Sequence, residues 1–226
     1  MFIDWPAPLP DGGTSMEMAV STARKDEPEL LIIPPLFEEA NRMRAQLVLM
    51  MRMLQDLGIS SVMPDLPGMN ESLRPQASQT LSAWRAAAAS AAKHFGVRHA
   101  LYVRQACVLD TGTAPASHYA PSEPSKLFRA MVRAQSLAEK EAGKDRTASQ
   151  ILDAASVQGD LVAGWDIGRT MAQELCESAE VTNEAATPIT HEEIGGRPLW
   201  LSNEGGVDER QAQALAKVLA ERIGTR

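Results

Sequence analysis

Leu30-Leu31-Ile32-Ile33-Pro34-Pro35-Leu36-Phe37-Glu38-Glu39-Ala40-Asn41-Arg42-Met43-Arg44 switches periodicity within one short stretch. Leu30 to Ile33 is continuously apolar, as suits a strand buried on both faces, and two prolines end it. From Glu38 to Leu57 the pattern is helical: Ala40, Leu47, Met50, Met51, Leu54 and Leu57 fall on one broad stripe, and Gly58 supplies the stop. The next segments repeat this unit. A strand is expected over Ile59 to Asp65, a loop to about Pro75, an alanine-rich helix from Ala77 to Phe95 closed by Gly96, and a third strand, His99 to Val103, within Arg98 to Arg104. Strands alternating with helices that end at glycine are the grammar of a parallel, doubly wound sheet.

Outside this block the signals are weaker. Pro6 to Gly13 reads as a loop, and Met16 to Ser21 alternates as a half-exposed edge strand would. Asp26-Glu27-Pro28 reads as a turn, and Ala114 to Ser125 as a Pro/Ser loop. Lys126 to about Ser178 is mostly helical, with breaks at Gly143 and Gly159. Thr187 to Arg197 has no clear period, Pro198 to Ser202 reads as a last strand, and Val207 to Ile223 as a closing helix with Ala212, Leu215, Leu219 and Ile223 inward. No repeat or linker divides the chain, so one α/β domain over 1–226 with a helical insertion is expected.

Composition limits the function. A net charge of −7 over 226 residues disfavours a nucleic-acid binder, although it leaves room for a local basic pocket. The two cysteines, Cys107 and Cys176, belong to no Cys/His cluster, so no metal site is expected. No apolar run is long enough for a membrane span, and the N-terminus lacks the basic and apolar regions of a signal peptide. A cytoplasmic protein with reduced thiols and no cofactor follows as the expectation.

Two runs carry a resemblance. They are Ile32-Ile33-Pro34-Pro35-Leu36-Phe37-Glu38-Glu39-Ala40-Asn41-Arg42-Met43-Arg44 and Met63-Pro64-Asp65-Leu66-Pro67-Gly68-Met69-Asn70-Glu71-Ser72. Together they resemble the exosortase A system-associated hydrolases, an α/β-hydrolase group found beside PEP-CTERM sorting systems in bacteria. Val162-Ala163-Gly164-Trp165-Asp166-Ile167 is similar to an element that opens a helix in the same group. The resemblance reaches from about Leu30 to about Leu175. It implies an α/β-hydrolase-like sheet with a helical cap over 121–178.

In α/β-hydrolases the nucleophile sits on a strained strand-to-helix turn flanked by small residues. Here that place reads Tyr102-Val103-Arg104-Gln105-Ala106. A guanidinium is always protonated and offers no nucleophilic lone pair. A histidine is expected after the final strand, yet Ser202-Asn203-Glu204-Gly205-Gly206 holds none. His94 and His99 bracket a helix end and a strand start, and His118 lies in a loop; His191, beside Glu192 and Glu193, is the least implausible base. Cys107 and Ser72 are the alternative nucleophiles, each with a plainer role, as a small buried thiol and as an N-cap or loop hydroxyl.

Glu38, Glu39, Asn41, Arg42 and Arg44 follow the first buried strand, where working hydrolases place an oxyanion-hole amide; Leu36 or Phe37 would supply it here. The charges either line a pocket or merely suit a helix N-terminus and solvent. On the pocket reading, Glu38, Glu39, Arg44, Asp65, Arg104 and Gln105 converge at the strands' carboxyl ends, where doubly wound sheets bind ligands. Arg104 would then pair with Glu38, Glu39 or Asp65. The favoured function is a catalytically degenerate binding or accessory protein for a small acidic molecule or a protein partner. The alternative is an ester or thioester hydrolase, or acyl transferase, with a non-standard nucleophile. A structural homodimer subunit is a third reading.

Overall fold

The computed structural model describes residues 1–23, 28–178, 183–202 and 205–224. Three strands and two helices lie where the central block placed them: β3 (Leu30–Ile33), α1 (Glu38–Asp56), β4 (Ser61–Pro64), α2 (Leu81–His94) and β5 (His99–Val103). Ahead of them stand β1 (Phe2–Pro8) and β2 (Thr14–Ser21), and after them β6 (Ala116–Tyr119) and β9 (Thr187–Ile189). Among the described residues these strands form one seven-stranded sheet in the order β1-β2-β4-β3-β5-β6-β9. β4, β3, β5, β6 and β9 run parallel, while β2 is antiparallel to β4 and to β1.

Alternation along β3 explains why its sequence is apolar throughout. Leu31 and Ile33 join the core under α2, while Leu30 and Ile32 join the core under α1 and α7 (Glu209–Ile223). All four side chains are fully buried, each contributing about 1.5–3 kcal/mol of apolar transfer. Thr80 caps α2 by accepting from the Ala83 amide, and Asp208 caps α7 by accepting from Gln211. The inward residues named for α7 are correct for Ala212, Leu215 and Leu219, with Ile223 partly buried.

Several expectations need correction. Pro6 to Gly13 is not all loop, because β1 runs to Pro8. At a sheet edge a proline's missing N–H need not break a ladder. β6 crosses the expected Pro/Ser loop, and β9 lies in the stretch without period; both are too short and too polar to signal themselves. Pro198 to Ser202 is not a strand: Leu199–Leu201 is a single 3₁₀ turn. The stretch 121–178, expected as an inserted helical cap, holds α3 (Pro124–Glu141), α4 (Ala148–Gln158) and α5 (Arg169–Glu177), plus a hairpin of β7 (Asp160–Val162) and β8 (Trp165–Ile167). Ala163 and Gly164, with φ of 51° and 84°, form its two-residue turn. Val162 to Ile167 is therefore a hairpin ahead of a helix, not the helix's opening. The turn expected at Asp26-Glu27-Pro28 lies largely outside the described residues. No helix among the described residues is long and apolar enough to cross a membrane.

Candidate functional site

Because β3, β4, β5 and β6 are parallel, their carboxyl ends share one rim of the sheet. Just beyond each end the backbone turns through a residue with positive φ: Phe37 (53°) after β3, Asn70 (47°) after β4, Arg104 (59°) after β5 and Ala120 (46°) after β6. Such conformations cost non-glycine residues on the order of 1–3 kcal/mol and gather where a fold positions functional groups. Arg104 is the apex of the turn from β5 into the 3₁₀ segment Arg104–Leu109. Arginine thus occupies the bend that the sequence identified as the nucleophile position.

Its side chain is folded into the protein and only 14% exposed. Nε donates to Glu39 Oε2 at 2.9 Å and Nη1 to the Ala120 carbonyl at 2.8 Å. The guanidinium carbon lies 4.3 Å from the centre of the Trp200 ring, within range of a cation–π contact. Glu39 stands in the first turn of α1 and is also held on its other oxygen, which accepts from Gln105 Nε2 at 2.9 Å. One carboxylate therefore grips two consecutive elbow residues. Arg104 Nη2 has no hydrogen-bond partner among the described residues.

His191 corrects the expectation that no histidine follows the last strand. The sheet's last strand is β9, and His191 begins α6 (His191–Ile194) two residues beyond it. Its Nε2 lies 3.1 Å from the Gly196 carbonyl, which can only accept, so that nitrogen carries the proton. Nδ1 then accepts from the Tyr119 hydroxyl at 3.0 Å. Burial raises the Tyr119 phenol to about 12, against the lowering effect of Arg104. The imidazole also meets Trp200 edge-on with ring centres 4.8 Å apart. Both nitrogens are occupied, and the ring braces Trp200 under Arg104.

The other candidates divide into separate groups. Asp65 binds Arg44 Nη1 (3.0 Å) and Asn70 Nδ2 (2.6 Å) through Oδ1, not Arg104, and Glu38 pairs with Arg42 across one helical turn at 3.4 Å. The expected single convergence is thus three clusters, because successive residues of α1 point in different directions. Asn41 is exposed on α1. Leu36 and Phe37 are buried, and the Phe37 ring packs on Trp84 of α2 (5.5 Å) and Trp165 of β8 (5.4 Å), joining the insertion to the sheet's rim. Ser72 Oγ accepts from the amides of Gly68 (2.8 Å) and Arg74 (3.2 Å), a turn-holding role. Cys107 is fully buried and its thiol donates to the Tyr102 carbonyl at 3.4 Å. Burial pushes its pKa well above the ordinary thiol value, and Asp110 adds to the shift.

Sequence reading missed Trp200 and Tyr119, since nothing in their local pattern announces packing around residue 104. It also missed a buried pair: His118 on β6 lies 2.8 Å from Asp110 Oδ2, which Asn183 also approaches at 2.9 Å. Burial alone would raise the Asp110 carboxyl, yet hydrogen bonds from His118, Gly112 and Asn183 hold it below its ordinary value.

Sheet order, parallel register and a strained elbow after β5 define an α/β-hydrolase-like fold. No protein-family model matches the sequence, and no curated protein matches it. Solved structures do. A candidate hydrolase from Agrobacterium vitis S4 is similar at a TM-score of 0.50 and 12% identity, covering 99% of each chain. The bottromycin epimerase BotH, in complex with bottromycin A2, is similar at 0.50 and 14% identity over 98% of each chain. A bromoperoxidase from Bacillus anthracis is similar at 0.50 and 9% identity over 98% of each chain. At such identities the likeness shows the fold and nothing more.

Proposed function

We propose that this chain is a non-hydrolytic α/β-hydrolase-like protein, acting as a binding or accessory protein in which the elbow has become an ion-paired anchor. The observation that carries this reading is Arg104 at the strained apex, held by Glu39 and the Ala120 carbonyl and stacked on Trp200. The alternative, an esterase or acyl transferase with another nucleophile, is disfavoured by the surroundings of its candidates. The Cys107 thiol is buried and faces a carbonyl, the Ser72 oxygen accepts two amides, and both His191 nitrogens are engaged.

Arg104 Nη2, which has no hydrogen-bond partner among the described residues, suits a carboxylate on a small acidic molecule or on a protein partner. The resemblance of Ile32 to Ser72 to the exosortase-associated group supports a role beside bacterial exopolysaccharide and protein-sorting systems. The test is turnover of 4-nitrophenyl acetate and butyrate, with fluorophosphonate labelling, by the protein and by Arg104→Ser. We expect neither hydrolysis nor labelling from either. Stoichiometric labelling mapped to Ser72, or turnover lost on Cys107→Ala, would establish the enzyme instead.

A further inference from the structure

A cavity of about 760 Å³ lies away from the elbow, between α1 and the edge hairpin β1–β2. Strand alternation creates it. Ala19 of β2 is buried in the core under α2, so its neighbours Met18 and Val20 point to the other face. On that face α1 presents Arg44, Val48, Met51, Arg52 and Gln55 to the same cavity. These positions are three or four residues apart around one side of a helix. The hairpin's outer face is left uncovered, with Phe2 at 70% and Met16 at 64% exposure.

We propose that this groove binds a single-chain amphiphile with an anionic head, a straight-chain fatty carboxylate. Its size falls among small-molecule sites, which run to about 300–1,000 Å³. Met18 and Val20 of β2 and Val48 and Met51 of α1 line it. Methionine walls adapt to a flexible aliphatic chain better than rigid aromatic ones do. The head's charge follows from the rim. Among the described residues, the side chains lining the groove include two arginines against one glutamate, Glu71, in a chain whose net charge is −7. Arg44 is tied to Asp65, whereas Arg52 is exposed and has no carboxylate in ion-pair range among the described residues. An anion docked there gains a charge-assisted contact without breaking an ion pair among the described residues. The residues differ from those around Arg104, so this site stands or falls independently of the proposed function.

The test is isothermal titration of the full chain with sodium decanoate and dodecanoate, below their micelle concentrations, and with 1-decanol as the uncharged probe. We expect one saturable site, tightened about tenfold from decanoate to dodecanoate by the two extra methylenes. Decanol should bind more weakly than decanoate. Arg52→Gln should weaken decanoate binding about tenfold and leave decanol unchanged. Met18→Glu should abolish both with the melting temperature retained. Absence of saturable binding, binding that survives Met18→Glu, or equal affinity for decanol and decanoate would each overturn the proposal. So would a sedimenting dimer that Met18→Glu dissociates, because a second copy would then cover the groove.

Discussion

Replacing Arg104 by serine puts a hydroxyl at the elbow and removes everything that the guanidinium does there. Three losses follow. Glu39 Oε2 loses its partner while remaining only 11% exposed on its side chain, and stripping a mostly buried ion pair of one member costs about 3–5 kcal/mol. The lower end applies, since Oε1 keeps its bond from Gln105. The Ala120 carbonyl loses a charged donor, a loss of about 1.5–3 kcal/mol that solvent entering the smaller side chain's space will largely offset. The Trp200 contact adds about 0.5–2 kcal/mol. Serine does not relieve the positive φ either, as glycine would. A net destabilisation of about 3 kcal/mol is the expectation.

For a chain of this length each kcal/mol moves the melting temperature by about 2–4 °C, so Arg104→Ser should melt roughly 6–12 °C lower. A double-mutant cycle separates the pair from the packing. Glu39→Gln removes the charge but keeps an amide near Gln105, and adding it to Arg104→Ser should cost less than its effect in the wild type. The coupling should come to about 2 kcal/mol by denaturant unfolding. A melting temperature within 1–2 °C of wild type, or a coupling near zero, would mean that the cluster contributes nothing and that the converted elbow is an incidental contact; those thresholds are about half a kcal/mol on the same scale.

Two more outcomes follow from the thiols and the insertion. Cys176 is exposed and Cys107 fully buried with its pKa raised by burial, so Ellman's reagent at neutral pH should modify the first and reach the second only as the protein unfolds; peptide mapping of the adduct checks this, and rapid labelling of Cys107 below neutral pH would reveal a stabilised thiolate. Hydrogen bonds from Arg146 and then Gln135 hold Glu139 at about 2, below the ordinary carboxylate range, so this bracing is complete above the unfolded value and is lost as pH falls toward 2. Wild type should therefore melt above Glu139→Gln at pH 6 with the gap closing by about pH 2, and a gap independent of pH would show that the charge is irrelevant.

The centre of the fold was legible because its strands are buried on both faces. β3 is apolar at every position and β5 at all but His99, and each adjoining helix needs one broad stripe; those patterns are local. The periphery was not. β6 carries Ser117 and His118, and β9 carries Pro188, because buried polar side chains and an edge position satisfy the backbone in ways that no periodicity records. Once β9 was missed, the apolar trio Leu199-Trp200-Leu201 took its place as the last strand. The histidine after the true last strand was then read as a loop residue. At the site, a pairing of Arg104 with one of Glu38, Glu39 or Asp65 followed from topology, and the structure gives Glu39 as the partner. The separation of Asp65 from it did not, because Asp65 follows β4, and β3 stands between β4 and β5 in a sheet order that no local pattern records.

This separation bears on what the rim can do. A single cluster of Glu38, Glu39, Arg44, Asp65 and Arg104 would have been a polar pocket open to a ligand. Instead each arginine is matched locally: Arg42 with Glu38, Arg44 with Asp65, Arg104 with Glu39. Pairing one to one lowers the desolvation cost of each charge and leaves little field to project outward. At the elbow itself the structure shows Arg104 held by Glu39 and the Ala120 carbonyl against Trp200, with His191 packed edge-on to the indole and bonded to Tyr119. On the proposed reading, the strained turn orients a hydrogen-bond donor toward a ligand in place of a nucleophile.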